Sequence, residues 1–521
     1  MARLRIGNDS TGAGAIKIMK NNADDPYSTP DSERWKFLYN SKFSITMNLA
    51  DMQRVNQITR PGLNDSGVLL YYPSGSNNSN FVYAEASGGG KSHWCFKKEH
   101  FPSLRYDVPL YDIKAKKGEG SNRYNQQMVF WFDSYDYYNG QGGFYVAGNY
   151  QQLGWVTGTD SSFFNNIFGA WASGIIIQIT RFDTIDGFNR FLSRDRTLVV
   201  WNLPGNNAPV DEAPPLAPNG SKTIKITSSQ FKAAKPGYNV DTATPAQLAF
   251  DIGAKLPVKV IRSGDIALPA GVSYFDVGFP IPEMAALDVH FYNSATIMYP
   301  CNPQLNNFGA EYWFDGTRIG FEASTSMRAR FMLYLEDNSP PTSGSNRVFR
   351  TFNEGGQDVV QILRPGAADP PGWADIVIDS RWPQVQILAE GWIDTVAGNG
   401  VFYDVPFDGT GMFPMVKYLT THGAGRGGSA APDGLNELIT SWTNVYRLPF
   451  VKRLKYTAPG NQSHAGESTY CELTQNNARF WTFAGNVGDY YNRRDSPGSW
   501  RTAGATPPLG IRYYVFGIPQ P

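Results

Sequence analysis

The sequence predicts an all-β protein built as three tandem antiparallel β-sandwich modules, with loop insertions in the first and third. Three observations lead there. The first is composition: 53 Gly, 35 Pro, 13 Trp, 28 Tyr and 32 Phe in 521 residues, with 18% charged, suit short strands joined by turns better than long solvated helices. The second is an internal repeat with a fixed spacing. The third is that three stretches of chain each close on an alternating aromatic strand, RTLVVWNLP (196–204), RARFMLYLED (328–337) and IRYYVFGIPQP (511–521).

The repeat is clearest in FKAAKPGYNVDTATPAQLAFDI (231–252) and VQILRPGAADPPGWADIVIDS (360–380). In the first copy Lys235-Pro236-Gly237 reads as a turn, because Pro presets φ and Gly accepts the positive φ of a type II turn. Thr244, Pro245 and Gln247 then have the spacing of a capping box over one helical turn. In the second copy Arg364-Pro365-Gly366 repeats the turn, and Asp369-Pro370 offers the cap. Downstream, LPVKVI (256–261) matches WPQVQIL (382–388), and GVSYFDVGF (271–279) matches GVFYDVPF (400–407). Lys235 to Gly271 and Arg364 to Gly400 both span 36 positions. A third, drifted copy opens the chain at 14–49, where Lys20-Asn21-Asn22 stands for the turn and Thr29-Pro30 for the cap. Its distance from Lys20 to Gly67 is 47.

Turn-forming linkers at 205–221 (proline-rich, expected to be extended) and 338–347 divide the chain into modules at 1–205, 222–338 and 348–521. The middle one is close to a minimal sandwich of roughly 100 residues. The other two carry their excess length as insertions, the aromatic-rich one in the first being the larger.

Bulk properties exclude several classes. Lys plus Arg and Asp plus Glu both number 46, so no net field draws the chain to nucleic acid or to an anionic membrane. The longest nearly uncharged apolar stretch, FGAWASGIIIQI (168–179), is shorter than the roughly 18–20 residues of a membrane span. MARLRIGNDSTGAGA lacks the apolar centre of a secretory signal, so the mature chain is expected to begin there. Three cysteines, Cys95, Cys301 and Cys471, are too few for a disulfide framework and suit synthesis in a reducing cytosol. One cysteine per module also admits interchain disulfides, against the plainer reading of small buried apolar groups.

The order basic-Pro-Gly-x-Asn/Asp-Val, Thr-Ala-Thr-Pro, a Phe-Asp strand, Gly-Val-x-Tyr leading to Val-Pro-Phe and Pro-Met-Val, and a final Tyr-Tyr-Val-Phe strand resembles β-sandwich modules in tail-associated structural proteins of tailed bacteriophages. Lys235 to Phe279, Arg364 to Tyr418 and Ile511 to Phe516 carry the resemblance, over about half of the chain. It implies a virion component made in the bacterial cytoplasm, in a tail, tail fibre or adsorption apparatus. Its partners would be further copies of itself and other virion proteins, and its work would be assembly, not catalysis.

No catalytic, cofactor or metal residue is expected. SGGGKS (87–92) lacks the first glycine of a phosphate loop, Glu85 standing there, and HWCFKKEHF is a poor helix to follow one. His93, Cys95 and His100 are clustered soft ligands without a fourth partner of matching spacing. The five histidines sit in no nucleophile or zinc motif. Asp133 with Asp136, or Glu311 with Asp315, have the chemistry of a glycosidase pair but also the ordinary pattern of exposed strand carboxylates, so a depolymerase ranks last. The run at 128–155, with Trp131, Tyr135, Tyr137 and Tyr138 beside Asn and Gln, could stack on host surface glycan, a receptor-binding reading set against core or subunit interface.

Overall fold

The computed structural model describes residues 4–43, 49–55, 68–71, 81–86, 92–96, 109–116, 122–125, 127–133, 145–147, 196–205, 207–253, 256–293, 295–300, 310–323, 326–335, 347–396, 398, 400–423, 444–447, 449, 451–455, 462–464, 469–483, 490–492, 499–501 and 508–520. Among them regular structure is all β, in several small antiparallel sheets. The helical exceptions are single 3-10 turns at Arg34–Lys36, Pro245–Gln247 and Trp373–Asp375. No helix of the described residues is long and apolar enough to cross a membrane.

One small sheet occurs three times. Strands β1 (Leu4–Asn8), β2 (Gly14–Met19) and β3 (Phe37–Asn40) form the first copy. The second consists of β13 (Ile224–Ile226), β14 (Phe231–Ala234) and β15 (Leu248–Asp251), and the third of β23 (Phe349–Glu354), β24 (Gln357–Leu363) and β25 (Ile376–Asp379). In each, a 3-10 turn leads into the third strand, which pairs antiparallel with the second and slips register at one place: Ile18/Met19, Ala233/Ala234 and Ile362/Leu363. A shared bulge fixes the structural alignment of the copies residue by residue. It makes Lys20, Lys235 and Arg364 equivalent, and their backbone N–H groups donate to the last residue of the 3-10 turn, Lys36, Gln247 and Asp375, at 2.9, 2.8 and 2.8 Å.

The turns follow from residue chemistry. The Tyr238 and Ala367 N–H groups donate back to Lys235 and Arg364, and Gly237 and Gly366 take φ +83° and +80°. At Pro245–Gln247 the Thr244 N–H donates to Gln247 Oε1 at 2.9 Å, one half of the capping box. The other two caps lie elsewhere than Thr29-Pro30 and Asp369-Pro370 suggest. Glu33 and Gly372 hold the N-cap positions, and the Gly372 N–H donates to Asp375 at 3.0 Å. The carboxylate of Asp369 is engaged by Arg347 and Arg350 instead. Replacing Gly237 by alanine is expected to destabilise more than Gly356→Ala. Both positions incur the left-handed cost of about 1–2 kcal/mol, but only at 237 would the new Cβ meet another atom, Leu216 Cβ at 2.5 Å. Urea unfolding midpoints of the two variants check this order.

Each small sheet is followed by larger ones. The closing aromatic strands are β12 (Arg196–Pro204), β22 (Met327–Leu335) and β36 (Gly510–Pro519), each paired on both sides in its sheet. Around β12 lie β4 (Leu49–Val55) and β8 (Pro109–Lys116); around β22, β16 (Lys259–Leu268) and β18 (Ala285–Tyr292); around β36, β26 (Gln386–Asp394) and β28 (Met412–Gly423). A second trio per block is β5 (Val68–Tyr71), β6 (Phe81–Ala86) and β7 (Ser92–Phe96); then β17 (Gly271–Asp276), β21 (Arg318–Ala323) and β20 (Ala310–Asp315); then β27 (Val401–Pro406), β33 (Asn477–Thr482) and β32 (Thr469–Leu473).

The blocks are not beads in series, because each passes a strand to the next. β9 (Tyr124–Asn125), which follows β8, pairs with β20 of the second block. β19 (Ile297–Tyr299), which follows β18, pairs with β32 of the third. β29 (Asn444–Arg447), which pairs with β28, meets β7 of the first through Tyr446 and Phe96. The first and third blocks meet again where β10 (Gln127–Asp133), already paired with β11 (Tyr145–Ala147), runs parallel to β30 (Val451–Lys455), whose other neighbour is β31 (Gln462–His464). β34 (Tyr490–Asn492) and β35 (Ser499–Arg501) form a separate hairpin.

Burial follows the same exchange. Ile18, Ala233 and Ile362, at one position of the three small sheets, share a core with their cross-strand partners Tyr39, Phe250 and Ile378. Among its described residues the linker at 205–221 contains no strand, and it does not hang free. Ala213 and Leu216 donate backbone hydrogen bonds to Ala246 and Pro236 at 2.9 Å, and Glu212 pairs with Lys235 at 2.5 Å. Most of the linker at 338–347 lies outside the described residues.

Candidate functional site: a shared axis

The register of the larger sheets brings equivalent positions of all three blocks together. β4, β16 and β26 each slip by one residue against the closing strand, opposite Val200/Trp201, Leu333/Tyr334 and Val515/Phe516. Trp201, Tyr334 and Phe516 are therefore the same position three times. All three are fully buried, with the Trp201 ring 5.1 Å from Tyr334 and 6.4 Å from Phe516. Side chains from one sequence position can meet at a point only if the three closing strands converge on a common axis.

Two residues earlier on the closing strands, Val199, Met332 and Tyr514 face Asp112, Asp288 and Lys417. These charges are also one structural position, and they too meet. Lys417 Nζ lies 2.9 Å from both Asp112 and Asp288, and Lys114 bridges the same two carboxylates, 2.7 Å from Asp112. All four side chains are buried. Two acids and two bases cancel, which is the condition for keeping charge in a low-dielectric interior. Lys417 Nζ also stands 5.3 Å over the Trp201 ring, joining the charged and aromatic layers.

The electrostatics follow from that packing. Burial alone would raise the Asp112 carboxyl, but Lys114 and Lys417 outweigh it and hold it well below the usual carboxylate range. Burial alone would lower Lys417, but Asp112 and Asp288 outweigh it and raise the ammonium above its ordinary value. His290, on β18 beside this cluster, is pushed well below its ordinary 6.5 by burial and then by Lys417, Arg330 and Lys114. A second buried charge cluster, in the first small sheet, joins Lys17 to Asp9 and Asp31 at 2.8 Å, with Lys42 reaching both acids. There too the lysines outweigh burial and hold Asp9 low.

These directions fix the pH dependence. Below about pH 6.5 the unfolded chain protonates a histidine that the folded chain keeps neutral, so His290 subtracts stability as pH falls. Asp9 and Asp112 supply stability that is complete above their ordinary 3.8 and is lost as pH falls below it. Thermal midpoints should therefore decline in two stages on acidification, and His290→Gln should remove the upper one. A wild-type midpoint that is flat from pH 7 to 5 would contradict this.

The residues singled out in the sequence fall mostly elsewhere. Trp131 lies in β10 opposite Arg453 of β30, while Tyr135, Tyr137 and Tyr138 lie outside the described residues. Asp133 ends β10, and Asp136 is outside. Glu311 is buried against Arg123 at 3.1 Å, whereas Asp315 is exposed and paired with Arg318. Four positions apart on one strand, Glu311 and Asp315 stand about 13 Å from each other along it, too far for a glycosidase pair. His93 and Cys95 are strand positions of β7, and His100 and the SGGG of SGGGKS lie outside the described residues. Among the described residues no group of three His, Cys, Asp or Glu is placed to hold a metal. Cys471 is a free thiol with 0% exposure, its pKa raised by burial, and it packs as an apolar residue between Tyr418, Phe480 and their neighbours. Cys301 lies outside the described residues.

Sequence reasoning missed the axial charges. The signal was present: AALDVHFY and MFPMVKYL each set one charge inside an apolar strand, and PLYDIKAK sets Asp112 and Lys114 between apolar residues. The chain matches no protein-family model, no curated protein and no solved structure.

Proposed function

We propose that the chain is a structural component of a bacteriophage virion, in the tail or its adsorption apparatus, and that it works by assembly through buried contacts between repeated units. In this reading each block is a β-sandwich of two sheets, the one holding the closing strand packed on the trio that receives a strand from the preceding block. The observation that carries the reading is the meeting of three equivalent positions on one buried axis. Such an axis suits a part that holds shape between units. The resemblance of Lys235 to Phe279 and Arg364 to Tyr418 to tail-associated sandwich modules supplies the phage context, with other virion proteins as partners.

The test is direct. Gold-labelled antibodies raised against the purified protein should decorate intact particles at one fixed location in electron micrographs. Labelling absent from particles and confined to host lysate would overturn the reading. Saturable attachment of the purified protein to host cells, abolished by Trp131→Ala and Tyr137→Ala, would shift it from a structural part to a receptor-binding part.

A further inference from the structure

We infer that one chain of this protein takes the place of a homotrimer: its three blocks close a ring within a single polypeptide, and the buried charges at the axis select this mixed ring over rings of three second or three third blocks. The inference concerns the chain in solution; it shares the buried axis with the virion reading, but its test does not involve the particle.

Head-to-tail contacts make a ring if they close and a filament if they do not. Here the strand transfers run from first block to second, second to third, and third to first. A separate set of contacts runs in the opposite sense at two of the three junctions. The 3-10 turn of the first small sheet sits on the third block, where the Arg34 carbonyl accepts from Gln386 Nε2 at 3.4 Å and the Asn40 N–H donates to Gln384 Oε1 at 3.1 Å. The Trp35 side chain lies against Gly411, where any Cβ would collide with it. The equivalent turn of the third small sheet sits on the second block, where the Trp373 carbonyl accepts from Lys259 Nζ at 2.8 Å. Gln386 and Lys259 hold the same place, each opening the strand that flanks its closing strand. The strand transfers thus describe the cycle, and the turn contacts repeat two of its three junctions.

The axis explains why the second and third blocks do not form rings of their own kind. A ring of three second blocks would gather three copies of Asp288, and a ring of three third blocks three copies of Lys417. Like charges buried together cannot all stay ionised without a large cost. The combination of Asp112, Asp288 and Lys417 with Lys114 is neutral and mutually bonded. A mixed ring also frees each block to carry its own insertions, which a ring of identical subunits cannot do.

The closing contact gives the experiment. Tyr446 and Phe96 are directly opposed across β29 and β7, so a cysteine at each is within disulfide reach. Full-length protein carrying Tyr446→Cys and Phe96→Cys, with Cys95→Ser to leave one thiol in β7, should oxidise with glutathione disulfide to an intrachain bond. On non-reducing gels it should run as a faster single-chain band at every protein concentration. A ladder of linked chains growing with concentration overturns the inference, and so does the absence of any bond. Native mass spectrometry of the wild-type protein gives a second measurement that needs no variant: one chain per particle supports the inference and three chains overturn it.

Discussion

Lys417→Ala is expected to be among the most destabilising single substitutions in the chain, lowering unfolding free energy by about 3–5 kcal/mol, the range for breaking a buried ion pair from one side. The lysine bonds both Asp112 and Asp288 at 2.9 Å, so its removal takes one of the two ammonium groups from a pair of buried carboxylates that Lys114 also bridges. Removing the whole network has a different effect. A variant with Asp112→Leu, Lys114→Met, Asp288→Leu and Lys417→Met should recover most of the stability lost in Lys417→Ala, because apolar groups of similar volume need no partners. Urea unfolding of the three proteins separates the cases. If Lys417→Ala unfolds at the wild-type midpoint, the axial cluster is not closed in solution and the ring argument loses its charge basis.

How much of this was legible in the sequence depended on how local the physics is. The turns at Pro236-Gly237 and Pro365-Gly366 and the box at Thr244 and Gln247 were readable because Pro, Gly and capping side chains act within four residues. The closing strands were readable because alternation is a local pattern; β12 coincides with RTLVVWNLP. The exchange of β9, β19 and β29 was not readable. A two- to four-residue strand has no pattern of its own, and its partner lies more than a hundred residues away in sequence. The caps at Glu33 and Gly372 were missed because Asp-Pro and Thr-Pro advertise a helix start that long-range pairing, such as Arg347 and Arg350 on Asp369, can divert. The axial site was half legible. A charge inside an apolar strand signals a buried partner, but only the register shows that Asp112, Asp288 and Lys417 are one another's partners.

Trp201→Ala is expected to cost about as much as the loss of Lys417, about 3–5 kcal/mol, for a different reason. The indole is fully buried between Tyr334 and Phe516, and it covers the Lys417 ammonium. Truncation leaves a cavity at a point where all three blocks touch, and the rings of Tyr334 and Phe516 beside it belong to two other sheets that cannot collapse inward together without breaking their registers. Trp201→Phe keeps most of the apolar volume and should cost a fraction of that. Phe402→Ala is the control: its ring is 48% exposed at the surface of the third block, so truncation there should move the unfolding midpoint little. Because Trp201 lies where the blocks meet, its loss should also weaken the β29 to β7 closure. The Tyr446→Cys, Phe96→Cys disulfide should then form more slowly in a Trp201→Ala background, while in Phe402→Ala it forms at the parental rate. Equal midpoints for Trp201→Ala and Phe402→Ala would mean that the three closing strands do not converge, and the shared axis would have to be abandoned.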